Sequence, residues 1–118
     1  MKKIISIAVL LLTLLFISYC DFGPALDAEV KLLDWQQIEE NNDNTVNILF
    51  EISNTGRKDI NKWEISFKIT CVEDTTFEHQ YTGFNLDTDD TIKEHTAAYI
   101  SSGYEVRTVT VSDVNIFE

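Results

Sequence analysis

Several residue types that carry structure or chemistry are scarce in this chain. Its 118 residues include one proline and four glycines, so a collagen-like or linker-like chain is excluded. Lysine and arginine number 9 against 20 carboxylates, which gives a formal charge of −11. Because recognition of nucleic-acid phosphates requires clustered cations, no nucleic-acid partner is expected. Two cysteines and two histidines leave few groups for nucleophilic or metal chemistry.

The abundant residues indicate one folded domain. Hydrophobic residues make up 44% of the chain and charged residues 25%, which are the proportions of a globular protein rather than a disordered one. A length of 118 residues corresponds to about one ordinary domain. The hydrophobic residues occur in two patterns, a continuous run at the N-terminus and an alternating pattern after it.

The N-terminal pattern is that of a secretory signal. Lys2 and Lys3 precede an apolar run over residues 4–17 that only Ser6 and Thr13 interrupt. A basic segment followed by a short apolar segment is typical of a signal peptide, whereas a membrane span needs about 20 apolar residues. An uncleaved N-terminal anchor is the alternative. Both interpretations place residues 21 onward outside the cytoplasm, because the lysines stay inside.

Cys20 directly follows this run, in the sequence Leu15-Phe16-Ile17-Ser18-Tyr19-Cys20. The segment resembles the lipobox of bacterial lipoproteins and departs from it at Tyr19, where a small residue is usual. The resemblance implies a signal peptide over residues 1–19, lipid attachment at Cys20 and a tether over residues 20–28. It also implies a location in the bacterial cell envelope, with the chain held to a membrane by its lipid and facing the extracytoplasmic side. Cys71 then has no partner, and its position suits a small buried hydrophobe; a Cys20–Cys71 disulfide is the alternative.

Beyond the tether the sequence alternates with period two, which predicts β-strands. The strongest strand is 63–71, where Trp63 and every second residue to Cys71 are apolar. A second strand is predicted over residues 46–53, where Leu49 on the otherwise polar face suggests partial cover. Four further strands are predicted at Glu29–Trp35, Phe77–Tyr81, Thr91–Ile100 and Tyr104–Phe117, the last with a kink near Ser112–Asp113.

Six or seven one-sided strands separated by polar turns predict an all-β antiparallel sandwich in preference to a barrel. Its expected core contains Ile48, Phe50, Trp63, Ile65, Phe67, Ile69 and Val109. The run from Val46 to Gly56, Asp59-Ile60 and the Trp63–Ile69 strand resemble the hairpin of small immunoglobulin-like (FxLYD-like) domains of exported bacterial lipoproteins. The resemblance implies an immunoglobulin-like sandwich over residues 29–118. Fold alone does not imply function.

Motifs for catalysis are absent from the sequence: it contains no G-x-S-x-G, phosphate-binding loop, H-E-x-x-H or C-x-x-C. The chain is therefore not expected to be an enzyme, and no cofactor is expected. His79 and His95 lie on different predicted strands; they would approach each other, and could bind Zn²⁺ with a carboxylate, only if those strands paired. Otherwise both are surface or boundary histidines.

A calcium site is the other metal hypothesis. Asp87, Asp89 and Asp90 form the densest carboxylate cluster, with the spacing that opens a calcium loop. The glycine and glutamate that an EF-hand requires are replaced by Ile92 and Ala98, so no EF-hand is present. The alternative interpretation is a solvated turn.

The sequence as a whole favours a non-catalytic binding or accessory module, whose partner is a protein, a glycan or another envelope component. An extracytoplasmic calcium- or zinc-binding domain is the alternative function. The predicted strands Phe77–Tyr81 and Glu29–Trp35 would offer open edges for β-strand addition by a partner. The sequence does not identify the partner-binding residues.

Overall fold

The computed structural model describes residues 25–118; the predicted signal peptide and Cys20 lie outside the described residues. The described part of the chain is all-β, as predicted, and it contains no helix that could span a bilayer. It contains six strands: β1 (Ala28–Glu40), β2 (Asp43–Asn54), β3 (Ile60–Cys71), β4 (Thr76–Leu86), β5 (Thr91–Ile100) and β6 (Val106–Phe117).

The strands form two three-stranded antiparallel sheets that pack face to face. The first sheet has the order β1-β2-β5 and the second has the order β4-β3-β6. Contacts between β1 and β6 and between β4 and β5 join the sheets along their two sides. The first sheet follows the A-B-E order of an immunoglobulin sandwich, and β3 and β6 correspond to its C and F strands. The predicted antiparallel β-sandwich is confirmed.

The core is formed by the two central strands. Every second residue of β2 from Val46 to Ile52, and of β3 from Trp63 to Cys71, is buried. The ring of Phe50 packs against Trp63, with ring centroids 6.1 Å apart, and against Phe67 at 5.3 Å. Burial of each such side chain contributes roughly 1.5–3 kcal/mol. All seven residues predicted for the core are buried: Ile48, Phe50, Trp63, Ile65, Phe67, Ile69 and Val109.

Strand β1 extends five residues beyond the predicted end at Trp35 and pairs with β2 as far as Glu40 and Asp43. The turn between the strands contains Asn41 and Asn42, whose φ angles are 50° and 72°. Asparagine tolerates this left-handed region, and two positive φ angles in succession suit a two-residue hairpin. The asparagine-rich segment that follows β1 is thus a tight turn.

Both edge strands on the β1/β6 side contain bulges. In β1 the pairing with β2 shifts between Leu32 and Asp34, which leaves Leu33 as the additional residue. In β6 the pairing with β3 passes from Asp113 to Val111, so that Ser112 is the additional residue. The predicted kink near Ser112–Asp113 is therefore a β-bulge.

The described part of the expected tether, residues 25–28, is bonded to the sandwich. The carbonyl of Ala25 accepts hydrogen bonds from the backbone N–H groups of Arg57 (2.9 Å) and Lys58 (3.0 Å), and Thr55 N–H donates to Asp27 O at 3.1 Å. Leu26 packs against the core. These residues join the domain at the loop between β2 and β3.

Candidate functional site

The three aspartates of the calcium hypothesis lie in the turn between β4 and β5. The N–H of Asp90 donates to Asp87 O at 3.0 Å, and Asp89 has a φ of 67°. Asp59 accepts the Thr88 N–H at 2.8 Å and ties the turn to the neighbouring loop. Across residues 25–118, no group of three or more His, Cys, Asp or Glu side chains is arranged to hold a metal ion.

The two histidines face different surroundings, because β4 and β5 lie in different sheets and do not pair. His79 Nε2 lies 2.8 Å from the hydroxyl of Thr96, a contact that links the two sheets. Burial lowers the pKa of His79. His95 lies opposite Leu49 of β2, on the outer face of the first sheet. The structure does not bring the imidazoles together.

Cys71 is the one cysteine in the described residues, and it is a free, fully buried thiol at the end of β3. Burial raises the pKa of this thiol, and the negative charge of Glu73 adds to the effect. A buried, protonated thiol is a poor nucleophile. Its surroundings agree with the expected role as a small core residue.

A buried polar network closes the end of the sandwich opposite residues 25–27. Asn44, only 2% exposed, donates to the carbonyls of Ser101 (3.0 Å) and Tyr104 (2.9 Å). Gln37 donates to Asn44 Oδ1 at 2.7 Å and accepts the Val106 N–H at 2.8 Å. The network joins β1, β2 and the loop before β6, so these amides have a structural role that the sequence pattern did not indicate.

The outer face of the first sheet presents a surface of a different composition. We define the low-charge face as the outward-facing side chains of residues 33–38, 45–49 and 95–99, which the pairing of β1, β2 and β5 brings side by side. In a chain with 20 carboxylates, it contains one, Asp34, and no lysine or arginine. The next outward-facing row of the sheet is charged and contains Lys31, Glu51 and Lys93.

Exposed apolar groups lie on this face. Leu33 is 41% exposed, Leu49 is 39% exposed and the ring of Tyr99 is 80% exposed. The bulge in β1 turns Leu33 outward beside Asp34. Leu49 is the residue whose position on the polar side of β2 suggested cover, and within the described residues it is open to solvent. The position of Leu49 among the polar residues of β2 is the signal in the sequence that points to this face.

Polar groups surround Leu49. A depression of about 150 Å³ is lined by Asp34, Trp35, Gln36, Asn47, Ile48, Leu49 and His95. The carboxylate of Asp34 accepts the N–H of Trp35 at 2.8 Å through one oxygen, and the other oxygen has no hydrogen-bond partner within residues 25–118. The face therefore offers hydrogen-bonding groups arranged around an apolar centre, a composition common to binding sites.

The outer face of the second sheet also exposes aromatic rings. Phe84 (63% exposed) and Phe117 (42% exposed) lie on either side of Lys62. The Lys62 ammonium lies 5.2 Å from the Phe117 ring centroid and 3.1 Å from a carboxylate oxygen of Glu64. Lys62 therefore interacts with Phe117 and Glu64, and these charged groups distinguish this surface from the low-charge face.

The fold defines the chain as a small six-stranded antiparallel β-sandwich. It is similar to a crystal structure provisionally assigned as the ApaA protein from Bordetella pertussis, with 13% sequence identity over 77% of this chain and 92% of that one and a TM-score of 0.46. It is also similar to the X-ray structure of another structural genomics target, with 16% identity over 78% and 85% of the two chains and a TM-score of 0.40. No protein-family model matches the chain, and no curated protein matches it.

Proposed function

We propose that the chain is a lipid-anchored, extracytoplasmic, non-catalytic binding module of a bacterial envelope. The signal-like N-terminus and Cys20 supply the anchor, and the low-charge face supplies the binding surface. One observation carries the binding role: Leu33, Leu49 and Tyr99 are exposed together on a hydrogen-bonded sheet. Apolar and aromatic groups depleted of charged neighbours are typical of the central part of an interface.

The position of this face suits an anchored module. Residues 25–27 are bonded at one end of the sandwich, and the low-charge face lies on the side of the first sheet rather than at that end. A domain tethered through its N-terminus therefore keeps the face accessible from the surrounding space. A rigid sheet also binds a partner with little loss of conformational entropy.

The anchor is tested by metabolic labelling. The full chain is expressed in cells that are grown with an alkyne fatty acid. The wild-type protein should become labelled, whereas Cys20→Ser should remain unlabelled. Cys71→Ser is the matched control and should label like the wild type. Equal labelling of the wild type and Cys20→Ser would contradict lipid attachment at Cys20.

The binding surface is tested by photo-crosslinking in the same cells. A photoreactive phenylalanine analogue replacing Tyr99 should give adducts of higher mass, because that ring is the most exposed of the apolar groups on the low-charge face. The same analogue replacing Phe84, which is comparably exposed, is the control and should give none. Absence of adducts at both positions, or equal adducts at both, would contradict a binding role for the low-charge face.

A further inference from the structure

We propose that the low-charge face binds a neutral oligosaccharide, with the ring of Tyr99 as a stacking surface and the side chains around Leu49 as hydrogen-bonding partners. This inference rests on the proposed binding function, since it takes the same face as the site. It goes further by naming the chemical class of the partner. The charge, the polar groups and the dimensions of the face support it.

The charge distribution favours an uncharged ligand. The chain has a formal charge of −11, so an anionic ligand is repelled by the molecule as a whole. A cationic ligand finds a single carboxylate on this face, Asp34, with one oxygen already bonded to Trp35 N–H. Denser carboxylates lie elsewhere, for example at Asp87, Asp89 and Asp90. The low-charge face therefore offers little electrostatic attraction to a charged partner of either sign.

A second copy of the chain is also a poor occupant. Pairing two low-charge faces would bring together two molecules that each carry a formal charge of −11, and such self-repulsion opposes association. The polar side chains around Leu49 would also lose water in a symmetric contact, and a buried polar group without a partner is costly. A neutral ligand rich in hydroxyl groups avoids both penalties.

The polar groups suit hydroxyl recognition. The side-chain amides of Gln36 and Asn47 each present donors and an acceptor in one plane. Each can therefore donate a hydrogen bond to a hydroxyl oxygen or accept one from a hydroxyl O–H. Neither amide has a hydrogen-bond partner within residues 25–118. The second oxygen of Asp34 is an acceptor, and His95 offers a ring nitrogen. Because these groups line the depression around Leu49, they converge on one small area.

Tyr99 supplies the apolar component. Its ring is 80% exposed and lies four residues from His95 along β5, about 13 Å at the usual rise of a strand. The three strands span about 10 Å across the sheet. An aromatic ring that combines an apolar body with a hydroxyl group suits ligands with both kinds of surface. The separation of Tyr99 from the depression suits a chain of sugar units rather than a single one.

The test uses the full chain, purified in a zwitterionic detergent that contains no sugar. Maltotriose, cellotriose, chitotriose and mannotriose are each titrated to about 10 mM while binding is followed by chemical-shift changes and calorimetry. We expect at least one of them to bind with a Kd below about 10 mM, which corresponds to more than about 2.7 kcal/mol of binding free energy. Sialyllactose, an anionic trisaccharide, should bind at least about tenfold more weakly.

Variants locate the site. Tyr99→Ala and the double variant Gln36→Ala/Asn47→Ala should each weaken binding by about tenfold or more, whereas Tyr99→Phe should retain it. Phe84→Ala removes a comparably exposed ring from the other sheet and should leave binding unchanged. Thermal unfolding of every variant shows that the fold is retained. Because all these side chains lie on the surface, their replacement should shift the Tm little.

Several outcomes would overturn the proposal. One is the absence of binding by every neutral trisaccharide at about 10 mM, and another is equal binding of sialyllactose. A third is binding that survives both Tyr99→Ala and the double amide variant. Protein adducts formed through position 99 in cells would contradict the oligosaccharide but retain the binding function. Absence of any adduct at that position would reject both, because the oligosaccharide is proposed to occupy the same face.

Discussion

At the scale of single residues, His79 makes the stability of the fold depend on pH. Its ring contacts the Thr96 hydroxyl across the two sheets, and burial lowers its pKa below the ordinary value of 6.5. From the facing strand, Glu94 contacts the neighbouring Tyr81 hydroxyl at 3.5 Å. Because the folded pKa is lower than the unfolded pKa, the unfolded chain binds the proton more readily. The contribution of His79 is therefore complete above pH 6.5 and is lost as the pH falls through the folded pKa.

The expected result is a smaller acid sensitivity in His79→Gln, which keeps a polar group near Thr96 but does not titrate. The measurement is the change in free energy of unfolding between about pH 7.5 and pH 5, by urea denaturation. His95→Gln is the matched control, because that ring is exposed on the outer face of the first sheet, and it should behave like the wild type. An identical pH dependence in wild type and His79→Gln would contradict the prediction.

Gly83 is required by the ring of Trp63. A Cβ atom at position 83 would lie 2.0 Å from a ring carbon of Trp63, which is opposite it in the β3–β4 pairing and only 1% exposed. Since the buried indole has no free space, Gly83→Ala should destabilise the fold by about 1–3 kcal/mol. Denaturant unfolding measures the change. Thr82→Ala, at the neighbouring exposed position, is the control and should cost much less.

At the scale of elements, the β1–β2 hairpin depends on its two asparagines. The φ of Asn42 is 72°, in a region where a β-branched residue is strained by about 1–2 kcal/mol. Asn42→Val should therefore lower the free energy of unfolding by about that amount. Asn61→Val makes the same chemical change at an exposed strand position and should have little effect or stabilise slightly. Comparable losses in the two variants would show that the turn conformation is not the cause.

The strands themselves could be predicted from alternation, but their ends could not. In β3 the side-chain period places Trp63, Ile65 and Phe67 on one buried face, and the structure confirms it. The predicted end of β1 at Trp35 was wrong. Composition alone does not distinguish a polar loop from a polar strand segment that continues into a tight turn. Gln37 illustrates the difference: it bonds Asn44 across the hairpin and the Val106 N–H, which is 69 residues away in sequence.

At the scale of the whole molecule, the pairing of strands decides which side chains share a surface. Alternation showed that Leu49 faces away from the core, but its neighbours Asp34 and His95 are 15 residues before it and 46 residues after it. The low-charge face exists only because β1 and β5 flank β2. The aspartates at 87–90, by contrast, were adjacent in sequence and were predicted on that basis. The local density of carboxylates indicated a turn. The low-charge face, whose residues are far apart in sequence, could be recognised only from the pairing of the strands.

Hydrogen bonds attach residues 25–27 to the loop between β2 and β3, at one end of the sandwich. Ala25 follows Cys20 by five residues, which span at most about 18 Å, so a lipid on Cys20 would keep this end of the sandwich near the membrane. The attachment requires Gly56: a Cβ atom there would lie 2.6 Å from Ala25 O and 2.7 Å from Asp27 N. Both are backbone atoms and cannot move aside without displacing the segment.

Gly56→Ala should therefore release residues 25–27 from the loop between β2 and β3 and leave the core intact. Amide hydrogen exchange reports this directly, because the N–H groups of Arg57 and Lys58 are bonded to Ala25 O. We expect both amides to exchange at least about tenfold faster in the variant, equivalent to about 1.4 kcal/mol of lost protection. The core amides of β3 should be unchanged. Thr88→Ala, which loses a side-chain contact to Asp59 in the adjacent turn, is the control. Unchanged exchange at Arg57 and Lys58 in Gly56→Ala would show that the attachment does not depend on Gly56.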